Sequence, residues 1–534
     1  MVDILNVILL IYSLIVIIYC FTYLLQLNRY EIVLGSKSIT KKFFIDIVIL
    51  VVLEMFSMFL CLCFIEVGWR ISITLAVSKF IYFIFMVKKV HNKNRLHMTK
   101  RVLRIAVVNL LLVFPLIVML IKYEKILLYL SVLTSLIVYS ISFLISLVIE
   151  YIIQAMYIYA AKKKLNKYTN IIKIGITGSC GKTSTKVFLN SILNDYYIVK
   201  ATPKSYNTTM GLVKFILQED LSQVEVLIFE MGAVRLGDIK KLCKLVNPDI
   251  GLITNIGSQH LETFKTRSNV VRGKLELFDY LRDNNKVLFT QINLLELCCR
   301  YNIENDIKYV KDDRNYSNNV YTIYKYCKNV SDKHLVILDY KCDKNGSKIQ
   351  YCESDTNTVG YLSTMLLGEH NIFNISLAVA CSLYLGINNY SIAKSVAKLC
   401  ALDNRLQIKH NELGATIIFD AYNSNEISFA EMLKVSQMFT GFYKILITPG
   451  VVELANVQFD VNSDLAKKAT NVFDEIWIIN KVNKYAILNG IESSEKNVVV
   501  KIFDSLSQEV FDRVNCLGEN NLIVFENDLP DNYI

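Results

Sequence analysis

A chain of 534 residues with a mean hydropathy of +0.36 is too apolar for a soluble enzyme of that length, and the apolar excess lies almost wholly before residue 160. The formal charge of +10 does not point to nucleic acid, because many of the basic residues flank the apolar runs instead of forming a basic face. Thirteen scattered cysteines, among them Cys20, Cys61, Cys63, Cys180, Cys243 and Cys298, lack the CxxC pairing of a structural zinc site and read as reduced thiols.

The first part of the chain reads as a membrane region. Five apolar runs, at about 5–27, 44–66, 71–87, 103–121 and 126–153, are each taken as a helical span. No small-residue cleavage site follows the first, so it is not a signal peptide. Positive charge gathers in alternate connections: Arg29, Lys37, Lys41 and Lys42, then Lys88, Lys89, Lys93, Arg95, Lys100 and Arg101, then Lys162, Lys163, Lys164 and Lys167. The positive-inside rule then predicts a multi-pass cell-membrane protein in contact with lipid, its N-terminus outside and everything after residue 160 in the cytoplasm. Asp46 and Glu54 fall inside the second run, where an acid is either functional or satisfied by the interface or a neighbouring helix.

From Ile171 the pattern changes. The run IIKIGIT predicts a short strand, GSCGKTST a turn, and KVFLNSIL a helix. A strand, a glycine loop and a helix N-terminus together cradle phosphate with backbone N–H groups. Lys182 is suited to neutralise β/γ-phosphate charge, and the Thr183 hydroxyl to ligate Mg²⁺. The loop departs from GxxxxGK[ST] because Ile176 stands in place of the first glycine.

Two later strands follow, VEVLIFEMG and PDIGLITNIGSQH, which end near Glu230 and His260. A helix is predicted over 268–281, carrying Lys274. Taken singly, Glu230 is better explained by capping, His260 by a loop hydrogen bond and Lys274 by solvent. Residues 293–361 form a polar, strand-prone stretch with little motif content. The C-terminal alternation of KILIT, EIWIIN and NLIVF with helical stretches such as DLAKKATNVF predicts a small Rossmann-like domain.

In order along the chain, TGSCGKTST, TPKSYNTTMG, FEMGAVRLGDIKKLCKLVNPDIGLITNIGSQHLETF, RGKLELF, GEHNIFN and NRLQIKHNELGATIIFDAYNSN resemble the Mur ligases, in particular the branch that adds D-alanyl-D-alanine to a muramoyl tripeptide. That resemblance implies ATP-dependent amide formation through an acyl phosphate, with magnesium, a carboxylate acyl donor and an amine acceptor. It places Gly178, Ser179, Cys180, Gly181, Lys182, Thr183 and Ser184 at the phosphates. Thr183, Glu230, His260 and a carbamylated Lys274 hold two Mg²⁺ sites, and Lys182, Lys274, His260 and Glu230 carry catalysis. Asn371 faces adenine, Arg405 the phosphates, Asp420 the ribose and Asn207 the acyl substrate.

The sequence departs from the family in three places. Cys180 stands where the family has asparagine, a place where thiol modification is expected to inhibit. The loop follows the last apolar run by about twenty residues, which leaves no room for the family's UDP-sugar domain. The loops YKILITPGVVELA and LIVFENDLPDNY differ from those of the D-alanyl-D-alanine branch and leave the amine open.

The expected fold is therefore an α-helical membrane region (1–160) followed by α/β domains: a P-loop-type central ATPase domain (168–400) and a C-terminal Rossmann-like domain (402–534). The leading expectation for the acyl donor is a lipid-linked or polymeric envelope glycan. The standard muramoyl peptide, poly-γ-glutamate synthesis and a membrane ATPase or transport component are the alternatives.

Overall fold

The computed structural model describes residues 107, 145, 148–203, 206–257, 261–291, 320–325, 334–353, 356–421 and 424–527. The chain divides into two compact units, Met1–Tyr157 and Ile158–Ile534. The expected spans 5–27, 44–66 and 71–87 lie outside the described residues, as do Asp46, Glu54, all of 103–121 but residue 107, and most of 126–153. Among the described residues no helix is long and apolar enough to cross a membrane. The membrane location drawn from the five runs is accordingly withdrawn. Hydropathy measures how much apolar surface must be covered, and by itself it does not say whether lipid or protein covers it.

The second unit opens on helical residues 158–165, whose Ala161 and Leu165 pack with Leu212, Val213 and Phe215. Lys164 Nζ donates to the carbonyls of Leu217 (3.1 Å) and Glu219 (2.5 Å). These carbonyls close helix α2 (Thr209–Gln218), where the helix dipole favours a cation.

The first sheet contains β1 (Ile172–Thr177), β2 (Val199–Ala201), β3 (Val226–Glu230), β4 (Ile250–Ile253), β5 (Val287–Thr290), β6 (Val320–Lys325), β7 (His334–Asp343), β8 (Gly346–Glu353) and β9 (Thr358–Thr364). Their order among the described residues is β2-β3-β1-β4-β5-β6-β7-β8-β9. Pairing is parallel as far as β7 and antiparallel through β8 and β9. The central strands are continuous apolar runs because both faces are covered: every residue of VLIFE in β3 is buried. Helices α1 (Lys182–Leu193), α6 (Glu369–Tyr384) and α7 (Asn389–Ala397) pack on one face. The other face takes α2, α3 (Asp238–Val246), the short α4 (Leu261–Phe264) and α5 (Arg267–Asp283). Residues 320–353 supply β6, β7 and β8, so the polar stretch without motifs extends the ATP-domain sheet.

The second sheet runs β10-β11-β15-β12-β13-β14, from β10 (Gln407–His410), β11 (Thr416–Asp420), β12 (Tyr443–Thr448), β13 (Glu475–Ile479), β14 (Val499–Phe503) and β15 (Asn521–Glu526). All its pairs are parallel except β10 with β11. Its helices are α8 (Glu426–Gln437), α9 (Gln458–Thr470), α10 (Lys484–Glu492) and α11 (Gln508–Asn515). Asn425 starts α8 with a capping box: its side chain accepts from Ile427 N and Ser428 N, and Ser428 Oγ accepts from Asn425 N.

Helices α9 and α10 approach closely at Gly490, where an added Cβ would stand 2.1 Å from Ser463 O and 2.8 Å from Ala466 Cβ. Helix propensity favours alanine over glycine by about 1 kcal/mol, but a clash with backbone costs about 1–3 kcal/mol and wins. Gly490→Ala should therefore lower stability in urea denaturation with an unchanged slope. A stabilised variant would show that the helices do not meet there.

Candidate active site

Strand β1 lies between β3 and β4, so the chain crosses over it and opens a crevice at the carboxyl ends of these strands. The loop 178–181 fills the mouth of that crevice. Ser179 N (2.7 Å) and Cys180 N (3.4 Å) donate to Asn255 O beyond β4, and Ser179 Oγ donates to Gly257 O at 3.1 Å. Gly181 begins α1 with a left-handed φ of 83°, and no side chain caps the helix. The first-turn N–H groups therefore have no intrahelical acceptor and face the loop, as anion binding requires. A side chain at Gly181 would also come 2.4 Å from Asn374 Oδ1, so backbone approach is preserved only with glycine.

Lys182 Nζ folds back on this loop, donating to Gly178 O (2.6 Å) and Ser179 O (2.8 Å). Burial lowers its pKa, opposed by Glu230. Glu230, 1% exposed at the end of β3, is held on both oxygens. Lys186 Nζ donates to Oε2 at 3.0 Å and Asn207 Nδ2 to Oε1 at 3.3 Å. Breaking a buried pair of this kind by removing one partner typically costs about 3–5 kcal/mol.

Lys274, on α5, is 2% exposed and donates to Ala233 O at 3.3 Å. Its pKa is pushed well below the ordinary lysine value by burial and by the neighbouring Lys182 charge. Thr183 is half-buried in the first turn of α1. His260 lies outside the described residues. Among the described residues no group of three or more His, Cys, Asp or Glu side chains could hold a metal. The donors that are present, the Glu230 carboxylate and the Thr183 hydroxyl, are hard oxygens suited to magnesium beside phosphate.

The second sheet brings its own side chains to the same crevice. Arg405 Nη1 lies 3.4 Å from Ser184 Oγ. Asn425 Nδ2 meets the Cys180 Sγ at 2.6 Å, and burial raises the thiol pKa, which disfavours the thiolate that alkylation needs. Asp420 ends β11, accepts from Leu406 N at 3.3 Å, and has its pKa raised by burial. Asn371, 6% exposed in the first turn of α6, donates to Leu367 O at 2.8 Å. Lys434 links the two sheets by reaching both Glu431 (2.6 Å) on α8 and Glu369 (3.4 Å) on α6.

Residues 176–382 match the model of the Mur ligase middle domain. The UDP-N-acetylmuramoyl-tripeptide–D-alanyl-D-alanine ligase of Buchnera aphidicola subsp. Acyrthosiphon pisum is 30% identical over 356 residues, 63% of this chain and 73% of the relative. The chain belongs to the Mur ligase family. The ligase of the same name from Bacillus subtilis is 25% identical over 328 residues, 61% of this chain and 66% of the relative. The chain spans about two thirds of the length of several such relatives. In fold, this Mur ligase is similar to the MurF ligase from Thermotoga maritima in complex with ADP (TM-score 0.57, 23% identity, covering 70% and 80% of the two chains). It is also similar to MurF from Acinetobacter baumannii (TM-score 0.58, 20% identity, covering 70% and 77%).

Two groups of this Mur ligase escaped the sequence reading. Lys186 carried a signal, since it stands four residues after Lys182 and shares its helix face. Glu526 carried none. It is fully buried beside Asp420 in the β11–β15 register and accepts from Thr448 Oγ1 at 2.6 Å on Oε2. Burial chiefly, and Asp420 in addition, push its pKa to about 8 from the ordinary 4.5.

An acid whose folded pKa is raised adds stability in full below its unfolded value and loses that stability as pH rises through the folded one. Glu526→Gln, which stays neutral, should therefore gain on the wild type in melting temperature between pH 4.5 and 8 and no further above it. Parallel melting curves across that window would remove Glu526 as the cause.

Proposed function

We propose that the chain is an ATP-dependent carboxylate–amine ligase of the muramoyl-peptide type, working through an acyl phosphate. The observation that carries this reading is the state of Lys274. Its amine is buried, lies beside the phosphate loop and is driven toward the neutral form. A neutral amine is the species that adds to CO₂: its lone pair bonds to carbon, a proton leaves to water, and a carboxylate results. A cationic lysine would repel a metal, whereas its carbamate is a ligand.

The central domain is taken as 168–400 and the C-terminal domain as 402–534. A substrate carboxylate oxygen attacks the γ-phosphorus of ATP, and the bridging oxygen leaves with ADP. The uncharged amine then attacks the acyl carbon, phosphate departs from the tetrahedral intermediate, and the surplus proton passes to water. The loop of Gly178, Ser179, Cys180 and Gly181 seats the phosphates against the uncapped first-turn N–H groups of α1 and the Ser184 and Thr183 hydroxyls, and Lys182 and Arg405 offset their charge. Thr183, Glu230, His260 and carbamylated Lys274 would hold magnesium at two sites, where it supplies further positive charge to the phosphates. Asp420 is assigned to the ribose, Asn371 to adenine and Asn207 to the acyl group.

A UDP-N-acetylmuramoyl-tripeptide as donor and D-alanyl-D-alanine as amine are the substrates named for the similar ligases, and they replace the lipid-linked glycan expected above. Lys274→Ala should lower amide formation by about 10²–10³, the loss typical of removing one electrostatic stabiliser. Short carboxylic acids should restore it in part. Full activity in the variant would remove the carbamate. Acyl-phosphate trapping with no muramoyl peptide consumed would remove the donor.

A further inference from the structure

We propose that Lys186 is a built-in counter-cation that closes the metal position at Glu230 to free divalent ions, so that metal enters only together with nucleotide phosphate. The inference rests on the reading of Glu230 as a metal ligand. Its geometry is direct: Lys186 Nζ stands 3.0 Å from Glu230 Oε2, with the two side chains 3% and 2% exposed. At that burial the carboxylate is neutralised before any metal arrives, and water does little to screen the pair.

The other oxygen, Oε1, accepts among the described residues from the neutral amide of Asn207 at 3.3 Å, and it is the oxygen that a metal can take. Lys182, four residues back on the same helix and folded onto Gly178 O and Ser179 O, adds a second ammonium that acts on Glu230. Two ammonium groups therefore act on the Glu230 carboxylate, and a lone dication must compete with them for it. Phosphate oxygens on the glycine loop relieve that competition. They draw Lys182 toward themselves and add anionic ligands, so metal and nucleotide favour each other's binding by the same factor.

Lys186 is thus a positioning residue. It pins Oε2, leaves Oε1 to the Asn207 amide, and sets the order of loading. A purely structural ion pair would tie β3 to α1 in the same place without making metal binding depend on nucleotide.

The test uses the full chain and Mn²⁺ as the probe, followed by its electron paramagnetic resonance signal, with and without ADP. Wild-type protein should bind Mn²⁺ alone at least a hundredfold more weakly than with saturating ADP. Lys186→Gln keeps a hydrogen-bond donor near Glu230 but removes the charge, and should tighten binding of Mn²⁺ alone by at least tenfold, shrinking the coupling to ADP by a similar factor. Lys186→Arg, which keeps the charge, should leave the wild-type coupling in place.

Equal affinity with and without ADP in the wild type overturns the proposal whether or not either variant folds. So does a Lys186→Gln protein with unchanged affinity for Mn²⁺ alone. A Glu230→Gln protein that still binds Mn²⁺ with ADP as the wild type does would instead overturn the ligand assignment itself.

Discussion

The parallel pairing of β1 with β3 is the constraint on which the site depends. Its register sets Ile176 beside Glu230, so that β3 delivers a carboxylate to the point where β1 turns into the phosphate loop. Both strands are buried on both faces, and a slip of one residue would place an acid inside the apolar core. Lys186 comes to the same point because the helix after the loop packs back over the sheet. Acid, ammonium and uncapped helix N-terminus are consequences of one crossover.

The second sheet completes the crevice from the other side and is built by the same rule. Its strands β11, β15 and β12 end at Asp420, Glu526 and Thr448. The loop after β12 is clamped by buried amides: Asn462 reaches Val451 O, Asn483 reaches Pro449 O, and Asn527 reaches Gly450 O. A fully bonded loop of this kind presents a stiff edge to whatever lies in the crevice. Arg405 at Ser184 and Asn425 at Cys180 bring that edge onto the phosphate loop, which explains why residues more than two hundred positions apart in sequence share a site.

Much of the α/β architecture was legible along the chain because it rests on local pattern. IIKIGIT, VLIFE and IGLI are apolar runs too short for helices, and each is followed by a polar or glycine turn. The strand, glycine loop and helix around Lys182 were legible from local pattern, whereas Glu230 by itself read as a capping acid and joined the site only through the ordered run of motifs. The apolar N-terminal runs were legible only as apolar. Reading lipid into them went beyond what hydropathy contains, because a buried helix and a membrane helix need the same side chains.

The sequence by itself determined the order of strands and helices, the phosphate loop and the family, all of which follow from residues near one another in the chain. The tertiary structure alone decided which partner each site residue holds and how burial acts on Lys274 and Glu526. Lys274 reads as a solvated lysine until α5 is buried against Ala233, and Glu526 reads as a strand-end acid until β15 is enclosed between β11 and β12. Lys186 and Glu230 lie 44 positions apart, and only the packing of α1 on the sheet makes them a pair. Burial and the sign of neighbouring charge are properties of the packed chain, so no local pattern can carry them.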